Sequence, residues 1–118
     1  MTGVTELSVS VAVEEGAGGP RTIVRLVGEA DATTPALGET LRAEVAKKPR
    51  VLLIDGTRLT FVDSAALHEI LLACRRVKAS DGQFALISPA PEVARILHLT
   101  GLDSVVPVHA SFEQADTR

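Results

Sequence analysis

Asp63-Ser64, at the junction between an apolar stretch and a helical pattern, is the pair whose residue types and spacing could do regulated chemistry. An aspartate just before a helix caps it, its carboxylate accepting hydrogen bonds from the free N–H groups of the first turn. Ser64 then falls at the first helical position, near the positive end of the helix dipole. A hydroxyl there can carry a phosphate, because a helix N-terminus stabilises negative charge. The same two residues also make an ordinary helix start, and nothing nearby in sequence supplies a base that would make Ser64 a catalytic nucleophile.

The other chemistry-bearing groups lead to less. Ile54-Asp55-Gly56-Thr57 has the outline of a phosphatase nucleophile motif, in which an aspartate stands two residues before Asp55. Leu53 stands there and cannot attack phosphorus, so Asp55-Gly56 is expected to be a turn at a strand end. Glu14-Glu15 could suggest the acidic pair of a receiver domain, but it leads into a glycine-rich hairpin and not a helix. His68, His98 and His109 have no Cys or carboxylate partners at ligand spacing, so no metal or other cofactor is expected. Gly16-Ala17-Gly18-Gly19 fits a flexible hairpin better than a phosphate cradle, and no dinucleotide or Walker motif is present.

The elements that must position Asp63 and Ser64 follow from periodicity. Leu7, Val9, Val11 and Val13 alternate with small residues, predicting a half-buried strand. Residues 14–21 read as a loop and 22–27 as the second strand of a hairpin. Thr33 or Thr34 is placed to cap a helix with Pro35 in its first turn and Leu37, Leu41 and Val45 inward, ending at Pro49. Val51–Ile54 is an unbroken apolar run, as in a central strand covered on both faces. From Ser64 to about Ala79, Leu67, Ile70, Leu71, Cys74 and Val77 recur at helical spacing, with Arg75, Arg76 and Lys78 near the negative end of the dipole. Residues 84–87 predict a fourth strand after a turn at Asp81-Gly82. Residues 91–100 predict a helix stopped by Gly101 in the left-handed conformation with Leu102 packing back. Residues 105–108 read as a last strand and 111–115 as a terminal helix.

The order β-β-α-β-α-β-α-β contains strand–helix–strand crossovers, which join parallel strands with one hand. The loops holding Asp31 and Asp63-Ser64 therefore emerge at the same edge of the sheet, where open α/β folds place binding sites. Asp31 and Ser64 are predicted neighbours.

Composition narrows the function classes. The chain has 118 residues, enough for one domain with a real core, and 46% are hydrophobic. A formal charge of −3, without a basic run, argues against a nucleic acid partner. Three phenylalanines are the only aromatic residues, so no stacking platform for single strands exists. The lone Cys74 lies on the apolar side of its helix and reads as a buried thiol. Neither a signal peptide nor a membrane span is recognisable, so the chain reads as cytoplasmic and is not expected to insert in a membrane.

Leu59, Thr60, Phe61, Val62, Asp63, Ser64 and Leu67 together resemble the signature of the STAS family, which includes bacterial anti-sigma factor antagonists. Gly28-Glu29-Ala30-Asp31 and Leu99-Thr100-Gly101-Leu102 extend the resemblance from about Leu7 to Phe112, with residues 1–118 taken as one domain. It implies a STAS-like α/β fold: a mixed sheet of four to five strands with an N-terminal hairpin, and three to four helices mainly on one face. It further implies a non-enzymatic protein that binds an anti-sigma factor serine kinase and releases the sigma factor. The kinase, which carries the ATP, would phosphorylate Ser64 to end the complex, and a phosphatase would reset it. Asp31, Asp63, Ser64, Ala66 and Leu67 would meet the partner. Ala65 and Ala66 depart from the pattern, which has Ser or Thr and then Gly. They leave open a second reading: a STAS scaffold without phosphorylation, in a signalling assembly or a lipid-transport complex.

Overall fold

In the computed structural model, which describes residues 7–16, 18–31, 34–87 and 89–116, five strands form one sheet in the order β1-β2-β3-β4-β5. β1 (Ser8–Gly16) and β2 (Gly19–Ala30) are an antiparallel hairpin; β3 (Val51–Val62), β4 (Gln83–Ile87) and β5 (Val108–His109) continue the sheet in parallel. The connections are α1 (Ala36–Ala46), α2 (Ser64–Ala79) and α3 (Pro91–Leu99), and α4 (Phe112–Asp116) follows β5. This is the mixed sheet with an N-terminal hairpin that the pattern predicts. Among the described residues no helix is long and apolar enough to cross a membrane.

The sheet has unequal faces. On one, Leu26, Leu52, Ile54 and Leu86 pack against Leu37 and Leu41 of α1, Ile70 and Cys74 of α2, and Val93 and Leu97 of α3. On the other, Ile23, Leu53, Ala85 and Ile87 form a smaller cluster against which Phe112 of α4 packs. A parallel strand covered on both sides reads as a continuous apolar run, which is why Val51–Ile54 shows no alternation. Cys74 is buried as expected, and burial pushes its thiol pKa up.

Several boundaries differ from expectation, each for a local reason. Residues 14–21 are mostly strand: the ladder runs through Glu14 opposite Arg21 to Gly16 opposite Gly19, so backbone pairing overrides loop-like composition. Leu7 and Val9 pack on the core, whereas Val13 is 66% exposed, because the hairpin projects past the helical layer. Thr34 does not cap α1; Pro35 holds the cap position without a side-chain bond, and Thr33 lies outside the described residues. The last strand shrinks to Val108–His109, since residues 102–104 take a 3₁₀ turn and the Val106 N–H donates to the Leu102 carbonyl at 2.8 Å. Gly101, with φ of 77°, has the left-handed conformation that stops α3.

The largest revision concerns Asp55-Gly56, which is no turn. β3 continues to Val62, with two register shifts against β2 absorbing extra residues. Gly56 makes this possible, since a Cβ there would sit 3.2 Å from the Ile87 carbonyl oxygen. Asp55, 6% exposed, is held within the strand: its Oδ1 accepts from the Thr57 N–H at 3.0 Å and hydroxyl at 2.6 Å, and its Oδ2 from Arg25 Nε at 3.0 Å. Burial pushes its carboxyl pKa up, but the Thr57 and Arg25 bonds outweigh this and hold it below 3.8.

A carboxylate with a depressed folded pKa contributes stability that is fully present above its unfolded value and lost as pH falls through the folded one. Asp55→Asn is expected to lower the unfolding free energy by about 1–3 kcal/mol at neutral pH. In urea titrations the gap between parent and variant should narrow as pH drops below 3.8. A gap unchanged in acid would show that the ionised carboxylate is not its source.

Candidate functional site

The site is built at the C-terminal ends of β2 and β3. Asp63 keeps an extended backbone, its N–H donating to the Ala30 carbonyl at 3.1 Å, so the two chains stay tied as they leave the sheet. Its Oδ1 then accepts from the Ala66 N–H at 2.9 Å, and its carbonyl accepts from the Leu67 N–H at 3.0 Å to start α2. This is the N-cap expected of Asp63. Ser64 follows as the first residue of α2 and is exposed.

Asp31 begins the connection to α1 and is positioned by Thr34. The Thr34 hydroxyl donates to the Asp31 carbonyl at 2.7 Å and accepts from the Asp31 N–H at 3.1 Å. The threonine considered as a helix cap thus closes the Asp31 turn. On the β3 side, the Thr60 hydroxyl donates to the Gly28 carbonyl at 3.1 Å, a second tie between the ends of the same two strands.

Between the starts of α1 and α2 lies a groove of about 250 Å³ that Asp31, Ala65 and Ala66 line together. The topology therefore brings Asp31 beside the first turn of α2. Ala66, although 3% exposed, faces this groove, whereas Leu67, 7% exposed, packs in the core. Leu67, which the resemblance would place at the partner surface, packs in the core as its place in the apolar stripe of α2 predicts.

Three groove residues were not singled out from sequence. Arg42 and Glu69 bridge α1 and α2 at 3.3 Å across the groove. Gly38 allows that approach, since a Cβ there would fall 2.7 Å from a Glu69 carboxylate oxygen. No local pattern marks them, because the pair is 27 residues apart. Phe61, 44% exposed and three residues before Ser64, is also notable. Its aromatic character is part of the family resemblance, but its exposure follows from the extension of β3 to Val62, which the sequence pattern did not predict.

Of the three histidines, His68 is exposed on α2 next to Glu69, and the other two lie away from this edge. His98 Nδ1 lies 3.1 Å from Asp103 Oδ2, beyond α3, and His109 is in β5. Among the described residues no three His, Cys, Asp or Glu side chains form a metal-binding group. The geometry supports recognition: an exposed hydroxyl at a helix start, a groove and an acidic loop. Asp63→Ala should remove the cap bond and cost about 1 kcal/mol of stability. Asp63→Asn should restore most of that loss in chemical denaturation, and an Asp63→Ala variant as stable as the parent would mean the cap carries no load.

Comparison with known proteins fits this arrangement. The model of the STAS domain family matches residues 8–115. A solved anti-sigma factor antagonist from Mycobacterium paratuberculosis is 32% identical, with a TM-score of 0.78 over 93% of this chain and 92% of that one. BtrV of Bordetella bronchiseptica is 31% identical over 84 residues, 71% of this chain and 72% of that protein. The phosphorylated form of SpoIIAA, from Bacillus, shares the fold at 21% identity, with a TM-score of 0.66 over 93% of this chain and 98% of that one. With the hairpin, the parallel crossovers and the capped α2 all in place, the chain belongs to the STAS domain family and stands, by homology and fold, among the anti-sigma factor antagonists.

Proposed function

We propose that this protein binds an anti-sigma factor in the cytoplasm, so releasing a sigma factor, and that phosphorylation of Ser64 ends the complex. The observation that carries the reading is the exposed Ser64 hydroxyl at the start of α2, beside the groove that Asp31 shares with Ala65 and Ala66. The kinase is the anti-sigma factor itself, with ATP bound on the partner, and a phosphoserine phosphatase restores the active form. Nothing catalytic is asked of this chain.

The electrostatics suit a switch that leaves the fold intact. Phosphate adds about −1.5 to −2 charges. In the free protein that charge stands in water at the positive end of a 16-residue helix. In a complex it would be desolvated next to Asp63, whose carboxylate already engages the Ala66 N–H, and close to Asp31. Like charges brought together out of water weaken association. Phe61 supplies an apolar anchor near the charged edge, the kind of residue that concentrates binding energy.

Ala65 and Ala66 favour a second reading, an unphosphorylated scaffold in a larger assembly. Ala65 is exposed and lacks a hydroxyl, and Ala66 stands in the groove lining where the family pattern has glycine. The fold is indifferent to both, since alanine is the best helix former. The two readings part on one experiment.

Binding of Ser64 variants to the serine-kinase anti-sigma factor of the same host, measured by calorimetry, separates them. Ser64→Ala should bind like the unphosphorylated parent and resist release by ATP. Ser64→Asp should bind at least about tenfold more weakly, a loss of roughly 1.4 kcal/mol. Equal affinity for all three, with no effect of ATP, would leave the scaffold. Asp31→Lys should lower affinity by a similar factor while shifting unfolding free energy by no more than about 0.5 kcal/mol. A matching loss of stability would make Asp31 a structural residue of its turn.

A further inference from the structure

β1 is the outermost strand of the sheet, paired with β2 and, among the described residues, with no other strand. Its nine residues run beside β2 without a register shift, from Ser8 opposite Val27 to Gly16 opposite Gly19. Sheet edges in soluble proteins are usually blunted by a lysine, a proline, a bulge or a very short strand, because their unpaired N–H and C=O groups template further pairing. β1 carries none of these devices. Its only charges are Glu14 and Glu15, next to the hairpin turn.

The direction of the open groups follows from Pro20. It has no N–H to donate, so Glu15 and Pro20 form a non-hydrogen-bonded pair of the ladder. Such pairs alternate with hydrogen-bonded ones. The N–H and C=O groups of Val9, Val11, Val13 and Glu15 therefore turn away from β2, to the open side. Side chains alternate as well. Val11 and Val13 share the face on which Val9 packs against the core, yet they are 41% and 66% exposed. Open backbone groups and uncovered apolar side chains coincide on one stretch of strand.

We infer that two copies of this protein pair through β1, antiparallel and two-fold about Ala12, joining their sheets into one. A two-fold interface must be self-complementary. Ala12 is the middle residue of β1, so this register pairs the whole strand. Val9 meets Glu15 of the second copy and Val11 meets its Val13, so the outward-turned backbone groups face one another throughout. Val11 and Val13 of the two copies then cover each other on one face. On the opposite face Glu14 stands beside Ser10 of the second copy, with that copy's Arg25 one strand further on. The glutamates of the two copies lie at opposite ends of the joint. Sliding the strands toward their hairpin turns would bring Glu14 against Glu14, and sliding them the other way shortens the ladder. Charge and apolar match thus favour a second copy over an unrelated strand. The joint leaves the two Asp31–Ser64 edges at opposite ends of the assembly and requires nothing of Ser64.

Sedimentation equilibrium of the whole chain from about 5 to 500 µM tests the pairing. A species of twice the 12.4 kDa chain mass should form, with a dissociation constant of about 100 µM or tighter. Val13→Lys sets a charge next to Val11 of the second copy and should weaken association at least about tenfold. Because Val13 is exposed, the urea midpoint of that variant should match the parent's. Cysteine cross-linking reads the register. Ala12→Cys meets its own copy at a Cα separation of about 4.5 Å, within disulfide reach, whereas Ser8→Cys faces Gly16. Under mild oxidation Ala12→Cys should therefore link far faster than Ser8→Cys, with the natural Cys74 buried and silent. A monomer throughout the concentration range overturns the proposal. So does a dimer that Val13→Lys leaves intact, or equal cross-linking by the two cysteine variants, since either puts the contact elsewhere.

Discussion

The hydrogen bond from the Asp63 N–H to the Ala30 carbonyl, 3.1 Å long, is the constraint on which the functional edge depends. It is the last tie between β2 and β3, made one residue before α2 begins. Thr60 makes a similar bond to Gly28 just below it. The two strands are out of step through two register shifts, yet they arrive together at the sheet edge. Asp31, the residue after Ala30, therefore has a place set relative to the first turn of α2. The Asp31 backbone is held by the Thr34 hydroxyl and the Asp63 carboxylate by the Ala66 N–H, so each loop has its own local support.

This arrangement shows what could be read from the chain and what could not. The helix over Ser64–Ala79, its Asp63 cap and the left-handed Gly101 were legible because each depends on a few neighbouring residues. The closeness of Asp31 and the start of α2 was legible too, because the hand of parallel crossovers is nearly invariant. The extension of β3 past Asp55-Gly56 was not. An Asp-Gly pair normally signals a turn, and the close approach of Leu86 and Ile87 on the neighbouring strand, which favours glycine inside this one, leaves no local mark in the sequence. Thr34 shows the same limit, since the backbone group that its hydroxyl serves follows from how the loop closes. Leu67 was legible as part of the apolar stripe of α2, and its burial follows that spacing. The Arg42–Glu69 bridge joins two helices and carries no local signature at all.

The capping aspartate also bears on regulation. One of the first-turn N–H groups that could receive a phosphate on Ser64 is already committed to Asp63. A phosphate on Ser64 would share the remaining donors and add its charge to a carboxylate held in place. The helix dipole offsets part of that repulsion in the free protein, where water screens the remainder. A partner surface that covers the edge removes the screening and keeps the repulsion. The same cap that stabilises α2 would thus make the free form tolerant of the modification and the complex intolerant of it.

The two faces of the sheet differ in what they carry. The helical face holds the large core, and its upper edge carries the acidic loop and the groove. The opposite face holds four buried aliphatic residues, the Arg25–Asp55 pair and a cavity, with the short α4 packed on it. Both faces meet in β3: Leu53 lines the cavity, Asp55 holds Arg25 two residues later, and Asp63 ends the strand at the α2 cap. The cavity and the Asp63 cap thus lie at opposite ends of one strand, whose middle is pinned by the Asp55 bonds to Thr57 and Arg25.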